Sequence, residues 1–370
     1  MEGKTTTRPT ETTIMDKEKL LSETLNFVRF PLIVMVIFNH SHLELPFLGS
    51  DITFYQVPIY YNFSYLFSEI IARITVPLFF AMSGFFFFYK VETFNKDSYF
   101  SKLKKRCTTL FIPFICWNLL AILVTFLIQT LFPQIIKGEG SALIANWGLK
   151  EWFGGFGGEV YPHNLPLWFL RDLIVVVFLS PLVYLIVKYT KVVGVVILGF
   201  LYITNIWFDV NGISINALFF FSLGAFFSVH KINFVEKTET FKLPITVVFL
   251  IVTAIMMTNK DASWIGYVQN FKNISGLFAT IAVCAYFVKK GKWKSNKFLT
   301  KSSFFIYAYH GIPGNRLIMV LFMLLKPTSD FDFILFNLIS LTIFLVVGLS
   351  LYWFLDKYLH KITNFITGSR

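Results

Sequence analysis

Charged residues are scarce in this chain: only 15% of its 370 residues are Asp, Glu, Lys or Arg, whereas 55% are hydrophobic. The mean hydropathy of +0.64 is typical of a polytopic membrane protein and excludes a soluble protein built around one core. No polar stretch is long enough to form a separate soluble domain of ordinary size.

Cysteine is also scarce, with three residues in the whole chain. Cys107, Cys116 and Cys284 lie in or beside apolar runs, and their spacing matches neither a zinc site nor a disulfide framework. We therefore predict no metal centre. The N-terminus lacks a small-residue cleavage site, so we expect no removable signal peptide.

Acidic residues are fewer than basic ones, 21 against 33, which gives a formal net charge of +12. A basic excess is compatible with nucleic-acid binding, but such proteins concentrate their basic residues in one folded patch. Here most Lys and Arg fall in alternate connecting segments between apolar runs. This asymmetry is that of the positive-inside rule and marks the richer side as cytoplasmic, so we expect no nucleic-acid partner.

The apolar runs predict an all-α polytopic membrane protein with about ten transmembrane helices and both termini in the cytoplasm. Residues 1–24 are expected to form a disordered cytoplasmic tail, residues 25–357 the membrane domain and residues 358–370 a cytoplasmic C-terminal tail. The sequence shows no internal repeat and no matched pair of broken helices. The expected spans are 25–45, 66–89, 107–132, 166–187, 192–208, 214–229, 243–258, 273–288, 302–325 and 332–356.

The longest outer loop, residues 133–165, contains the run Gly154-Gly-Phe-Gly-Gly158. A Gly-rich loop can hold a phosphate, but neither a helix start nor a Lys-Ser/Thr pair follows this one. The sequence favours a flexible or lid-like loop.

The first span begins with Arg29 and reaches His40 eleven residues later. On a helix the two share a face and lie about 16 Å apart along the axis. One therefore lies near a membrane surface and the other beyond the middle of the bilayer, where ionisable groups are costly and usually functional.

Other ionisable residues fall at a similar predicted depth in three more spans. Glu69 and Arg73 are four residues apart and are expected to pair on one helix face. Arg171 and Asp172 are adjacent, so we expect them to point to different faces and find separate partners, and His310 lies in the ninth span. Four helices contributing at one level favour a water-accessible cavity, although scattered structural pairs explain each residue singly.

These residues carry a resemblance to the integral membrane acyltransferase-3 family. Arg29, ten further residues and His40 resemble its first-span signature, and Val76-Pro-Leu-Phe-Phe-Ala-Met-Ser-Gly-Phe85 is similar to its second-span motif. Further similar segments follow in order over nearly the whole chain: Lys105-Arg106 with Leu110-Phe-Ile-Pro113, Leu167-Trp-Phe-Leu-Arg171, Ile306-Tyr-Ala-Tyr-His310 and Tyr352-Trp-Phe-Leu-Asp356. The pattern looks closest to members that acetylate sugars of surface polysaccharides.

The resemblance implies an O-acetyltransferase of the bacterial inner membrane. Its co-substrate would be cytoplasmic acetyl-CoA, with no permanently bound cofactor, and its acceptor a hydroxyl of a glycan or lipid-linked saccharide. We expect three sets of site residues: His40, Arg73 and Arg171 in catalysis, Arg29, Ser83, Lys105 and Arg106 at the acyl-CoA, and Glu69, Asp172, His163, Trp168 and His310 around the acceptor.

The chemistry of these residue types is compatible with acetyl transfer, but it leaves two routes open for His40. Lys- and Arg-rich inner loops suit the phosphates of acetyl-CoA. His40 can act as a general base on the acceptor hydroxyl or can take the acyl group itself, and Arg73 or Arg171 can stabilise the oxyanion. A transporter of a sugar or lipid-linked glycan would use the same cavity without chemistry. A structural or sensory protein would leave the buried charges unexplained.

Overall fold

The computed structural model describes residues 11–41, 56–132, 143–158, 161–208 and 210–368. Within these ranges the regular structure is helical, apart from an isolated antiparallel bridge between Phe156 and Pro162. The all-α prediction is therefore confirmed. The start of the predicted N-terminal tail, the outer end of the first predicted span and part of the longest outer loop lie outside the described residues.

Five helices are long and apolar enough to cross a membrane, and up to seven spans result if each of two sharply bent helix pairs counts once. Two further predicted spans fall on the shorter apolar helices α7 and α10, and the second part of the ninth predicted span falls on the short apolar helix α13. The count of ten and the side of the termini stay predictions. In chain order the helices are α1 (Glu11–Ser41), α2 (Pro58–Phe88), α3 (Lys96–Leu131), α4 (Leu149–Gly155), α5 (Trp168–Phe178), α6 (Ser180–Thr190), α7 (Val192–Thr204), α8 (Ile215–Val229), α9 (Phe234–Thr240), α10 (Lys242–Thr258), α11 (Ile265–Lys289), α12 (Lys297–Tyr309), α13 (Gly314–Leu325), α14 (Asp330–Tyr358) and α15 (His360–Thr367).

Two predicted spans are broken where the sequence predicted a continuous helix. The fourth is divided between α5 and α6, which meet at 64°, where Pro181 lacks the N–H that a continuous helix needs. The ninth is divided between α12 and α13 by the turn that contains His310 and Pro313. The prediction of unbroken helices was therefore wrong in these two spans, whereas the 97° bend between α8 and α9 lies beyond the end of the sixth predicted span.

Helix α1 lies at the centre of the fold, since it packs against α2, α9, α11, α12 and α14. It also extends into the predicted N-terminal tail, because Leu21 and Leu25 are buried one helical turn apart and Glu23 accepts a hydrogen bond from the Ser295 hydroxyl at 2.8 Å. Residues 17–24 are therefore helical and packed in this structure, whereas the division of the chain into two tails and a membrane domain stays a prediction.

Most of the predicted C-terminal tail is also ordered, as helix α15. Its Thr363 and Thr367 side chains are buried, and the Trp117 indole of α3 donates a hydrogen bond to the Ile366 carbonyl at 2.9 Å. The chain then turns at Gly368, whose φ of 72° favours glycine. This end of the chain is therefore part of the folded domain.

The described part of the longest outer loop, residues 143–158 and 161–165, is tied down along one face of α3. Gln129 accepts a hydrogen bond from the Ile144 amide at 2.9 Å, and Asn118 accepts one from the Asn164 amide at 3.1 Å. These tethers replace the flexible loop that the glycine run predicted.

The second half of α2 and helix α8 cross at backbone contact. A Cβ atom added at Gly84 would lie 2.0 Å from the Phe221 carbonyl oxygen. A Cβ atom added at Gly224 would lie 1.8 Å from the Ala81 carbonyl oxygen. Only glycine allows this approach, which is typical of helix packing in membranes. The crossing fixes the position of the second-span motif that contains Gly84.

Lys272 of α11 is fully buried and donates three hydrogen bonds, to the carbonyl oxygens of Glu69 at 3.1 Å and Ile70 at 2.8 Å and to Asn273 Oδ1 at 2.8 Å. These carbonyls lie at the end of a π-helical segment of α2, Tyr65–Ile71, before the helix tightens into a 3₁₀ turn. The ammonium group therefore satisfies backbone acceptors at an irregular turn.

We expect Gly224→Ala to lower stability by roughly 1–3 kcal/mol, because the added methyl group overlaps the Ala81 carbonyl and forces α2 and α8 apart. Thermal unfolding in detergent measures the loss. Gly266→Ala is the matched control, since a Cβ there would meet no atom within 4 Å. Equal unfolding temperatures for the Gly224→Ala and Gly266→Ala variants would contradict the backbone contact between α2 and α8.

We expect Lys272→Met to lower the free energy of unfolding by about 2 kcal/mol or more, since two buried carbonyl groups lose their donor. Denaturation in detergent provides the measurement. Lys289→Met is the control, because the side chain of Lys289 is 59% exposed and its ion pair with Glu239 is expected to contribute little. A stable Lys272→Met protein would show that the carbonyls find other donors.

Candidate active site

A cavity of about 540 Å³ lies between α1, α2, α3, α5 and α12, and it contains all four residues predicted to hold acyl-CoA. Arg29, Ser83, Lys105 and Arg106 come from three helices, and the structure brings them together. Lys102 and Lys301, which the sequence analysis did not select, add two more cations. The described lining residues include no Asp or Glu, so the cavity, which we call the cationic cavity, is suited to an anionic ligand.

Aromatic rings support these cations in place of carboxylates. The Arg29 guanidinium carbon lies 5.7 Å from the centre of the Phe86 ring, and Lys102 Nζ and the Arg106 guanidinium carbon lie 5.6 and 5.9 Å from that of Phe87. Among the described residues no carboxylate pairs with any of the three. Cation–π contacts of this kind hold the groups without neutralising them.

The other end of the cationic cavity is aromatic and is formed by Phe169, Phe304 and Tyr307. The Tyr307 hydroxyl donates a hydrogen bond to the Pro166 carbonyl, and the Tyr307 ring lies 6.0 Å from that of His310. Tyr307 therefore joins the wall of the cavity to the neighbourhood of His310.

His310 and His40 form a pair beyond this wall. Their ring centres are 5.4 Å apart, with His40 at the end of α1 and His310 in the turn between α12 and α13. His310 is only 2% exposed, and neither of its ring nitrogens has a hydrogen-bond partner within the described ranges. Sequence predicted each histidine separately, and the fold brings them into contact.

Arg171 and Asp172 bind each other, contrary to the expectation that they point to different faces, and each also has a separate partner, the Gly157 carbonyl for Arg171 and Ser214 for Asp172. Arg171 Nε donates to Asp172 Oδ1 at 3.0 Å, because the long guanidinium side chain folds back along α5, and Arg171 Nη1 donates to the Gly157 carbonyl at 2.9 Å. The pair is largely buried. Arg171 therefore links α5 to the outer loop.

Glu69 and Arg73 pair as their spacing predicted, with Arg73 Nε 2.5 Å from Glu69 Oε2. Glu69 also accepts a longer hydrogen bond from Gln269 of α11 at 3.5 Å, and its carbonyl binds Lys272. Neither Glu69 nor Arg73 lines the cationic cavity. The sequence led us to expect one polar cavity formed by four spans. The structure instead has three separate polar regions: the cationic cavity, the histidine pair, and the group formed by Glu69, Arg73 and Lys272.

His163 and Trp168 lie at the outer loop and the start of α5. His163 Nε2 is hydrogen-bonded to the Thr125 hydroxyl at 3.0 Å, and its ring lies 5.6 Å from that of Trp147. Burial, assisted by the positive charge of Arg316, lowers the pKa of His163 below its ordinary value. Trp168 is partly buried against the hydrophobic core. His163 is therefore a tether that holds the outer loop to α3 through Thr125.

Sequence reasoning missed Asn164, which lies beside the histidine pair. Its side-chain nitrogen donates to the Ala308 carbonyl at 3.1 Å, and its side chain is fully buried. No local pattern marks Asn164, since its partners lie 46 and 144 residues away.

The chain is similar to known proteins over most of its length. Residues 23–355 match the acyltransferase domain family. The chain is also 28% identical to the succinoglycan biosynthesis protein ExoH of Rhizobium meliloti (strain 1021), over 286 residues that make up 73% of this chain and 72% of the relative. No solved structure matches the chain significantly. Because the family match covers most of the chain, the protein belongs to the acyltransferase-3 family, and this membership implies acyltransferase activity.

Proposed function

We propose that the protein is a membrane O-acyltransferase that moves an acetyl group from acetyl-CoA to a hydroxyl of a surface glycan or glycan precursor. The observation that carries the proposal is the cationic cavity, which ends at Tyr307 beside the histidine pair. A donor with a charged head and a narrow reactive arm fits such a cavity.

The cations support acetyl-CoA as the donor. Its phosphates would bind Arg29, Lys105 and Arg106, since arginine forms bidentate hydrogen bonds with phosphate oxygens. The cavity volume of about 540 Å³ lies within the range of small-molecule sites. The pantetheine arm would then extend past Ser83 toward Tyr307 and bring the thioester near the histidines.

The side of the membrane follows from the distribution of charge. Acetyl-CoA is cytoplasmic, and the positive-inside rule assigns the Lys- and Arg-rich segments to the same side. With ten spans, a multi-pass protein of the bacterial inner membrane would have both termini in the cytoplasm. His40, about 16 Å further along α1 than Arg29, would then lie nearer the outer face.

His40 would perform the chemistry by one of two routes. As a general base, its imidazole accepts the proton of the acceptor hydroxyl while the hydroxyl oxygen bonds to the thioester carbonyl carbon. The carbon–sulfur bond then breaks, and the departing thiolate takes the proton from the imidazolium. In the second route an imidazole nitrogen bonds to the thioester carbonyl carbon, and the carbon–sulfur bond breaks to release the CoA thiolate. The acceptor hydroxyl then displaces the imidazole from the acetyl group, and its proton passes to the thiolate. His310 would border the reacting atoms in both routes.

The oxyanion role of Arg73 and Arg171 stays a prediction. Each guanidinium already binds a carboxylate, Glu69 or Asp172, so it would have to share its donors with the developing charge. Glu69, Asp172, His163 and Trp168 likewise remain candidate wall residues of the acceptor side. The relative's name, which refers to succinoglycan biosynthesis, supports a polysaccharide acceptor.

A transporter of a sugar or lipid-linked glycan is the second candidate. The bent pairs α5–α6 and α8–α9 favour it, since transporters use interrupted helices at their binding sites. Acyltransferase family membership argues for chemistry instead. Binding of acetyl-CoA separates the two, because a plain exporter has no use for it.

We expect His40→Ala to lower glycan acetylation by at least about 100-fold, the usual contribution of a general base or nucleophile. The measurement is mass spectrometry of surface glycans from cells that lack the gene and carry each variant. His360→Ala is the matched control, because this exposed histidine pairs with Asp356 outside the site. Normal acetylation by a folded His40→Ala protein would reject the role of His40.

We expect Arg106→Gln and Arg29→Gln each to weaken acetyl-CoA binding roughly tenfold or more, since each removes charge-assisted hydrogen bonds. Calorimetry on protein in detergent measures the affinity. Lys290→Gln, an exposed lysine outside the cavity, should leave it unchanged. No binding of acetyl-CoA to the wild-type protein would favour the exporter.

A further inference from the structure

Three polar atoms in one small region are buried without a hydrogen-bond partner among the described residues. They are Asn164 Oδ1 and both ring nitrogens of His310. Asn164 is fully buried, and His310 is 2% exposed. An unsatisfied buried polar group is costly, so such a concentration calls for an explanation.

The orientation of the Asn164 amide is fixed by its other contacts. Its backbone N–H donates to Asn118 Oδ1 at 3.1 Å, and its side-chain nitrogen donates to the Ala308 carbonyl at 3.1 Å. With the amide turned over, Oδ1 would face the Ala308 carbonyl, another acceptor. Oδ1 must therefore point away from Ala308 as an acceptor without a donor.

Oδ1 points at the turn that carries His310. A Cβ atom added at Gly311 would lie 2.0 Å from Asn164 Oδ1 and 2.7 Å from Pro166 Cδ, so only glycine permits this approach. The Tyr307 hydroxyl, bonded to the Pro166 carbonyl, joins the same two segments. Residues 164–166 therefore cover the turn after α12, next to the histidine pair.

We propose that Asn164 is an acceptor-binding residue whose Oδ1 receives a hydrogen bond from a non-reacting hydroxyl of the acceptor sugar. This inference rests on the proposed function and deepens it. An amide oxygen with its NH₂ group already engaged attracts hydroxyl groups and repels anionic oxygens. The site thus suits a neutral, polyhydroxylated part of a glycan, and His310 offers a second polar contact beside it.

Access to these atoms requires movement, since they are buried in this structure. The turn between α12 and α13 contains Gly311 and Pro313 and leads into Gly314, whose φ is 35°. Glycine on both sides of the turn lowers the steric cost of moving it. The acceptor would enter as this turn moves away from Asn164.

The experiment compares Asn164→Ala with the wild-type protein in detergent, with acetyl-CoA and surface polysaccharide purified from cells that lack the gene. We expect the polysaccharide concentration at half-maximal rate to rise by about three- to tenfold, the usual effect of one lost neutral hydrogen bond. The affinity for acetyl-CoA should stay unchanged. An unchanged half-saturation for the polysaccharide, or weakened acetyl-CoA binding, would overturn the proposal.

Gln129→Leu is the matched control, since it cuts a tether of the same outer loop without touching Asn164 Oδ1 or any candidate acceptor residue. An equal rise in half-saturation for this variant would show that loop anchoring alone matters and would reject the assignment. If Asn164→Ala does not fold, Asn164→Asp replaces it. Its protonated carboxyl can donate to Ala308 and keep a free oxygen, so half-saturation near the wild-type value is expected in acidic buffer, and a raised value there would overturn the proposal.

A wild-type protein that acetylates none of this polysaccharide would instead count against the proposed function. Wild-type acetylation together with an unaffected Asn164→Ala protein would reject the inference alone. The two failures are therefore distinguishable.

Discussion

The constraint on which this structure depends is a cluster of positive charges that no carboxylate of the described residues neutralises. A cation held among apolar side chains is costly unless an opposite charge or a polar group compensates it. Around the cationic cavity the rings of Phe86 and Phe87 supply part of that compensation for Arg29, Lys102 and Arg106. An anionic ligand would supply the rest, so that binding of such a ligand would also stabilise this part of the helix bundle.

The crossing of α2 and α8 positions the same cavity. Gly84 allows the two backbones to touch, and Ser83, Phe86 and Phe87 beside it line the cavity. The glycine of the second-span motif thus has a packing role, while its neighbours line the cavity. One short segment therefore serves both the fold and the site, which explains why the motif combines a small residue with large aromatic ones.

Residues whose role depends on local spacing could be predicted from the sequence. The eleven-residue separation of Arg29 and His40 and the four-residue separation of Glu69 and Arg73 follow from helix geometry, and the positions of Ser83, Lys105 and Arg106 were inferred by family resemblance. Contacts between distant segments could not be predicted in this way. Asn164 is recognisable only once Asn118 and Ala308 surround it, and Lys272 only once α11 packs on the π-helical turn of α2.

The helix breaks were missed for a related reason. An apolar run has the same composition whether or not its helix is interrupted, and proline alone does not decide the matter, since Pro31 lies inside the continuous helix α1 while Pro181 follows a 64° bend. The neighbouring helices determine which outcome is stable. The turn at His310 is therefore a property of the assembled bundle.

Helix α15 has a practical consequence for work on this protein. Gly368, directly after it, lines the cationic cavity, and the Trp117 contact holds this end of the chain in place. A tag inserted close behind Gly368 would therefore begin beside the cationic cavity. An acidic epitope there would be attracted to the same cations as an anionic ligand, and affinities measured on such a fusion would describe the tag as well as the protein.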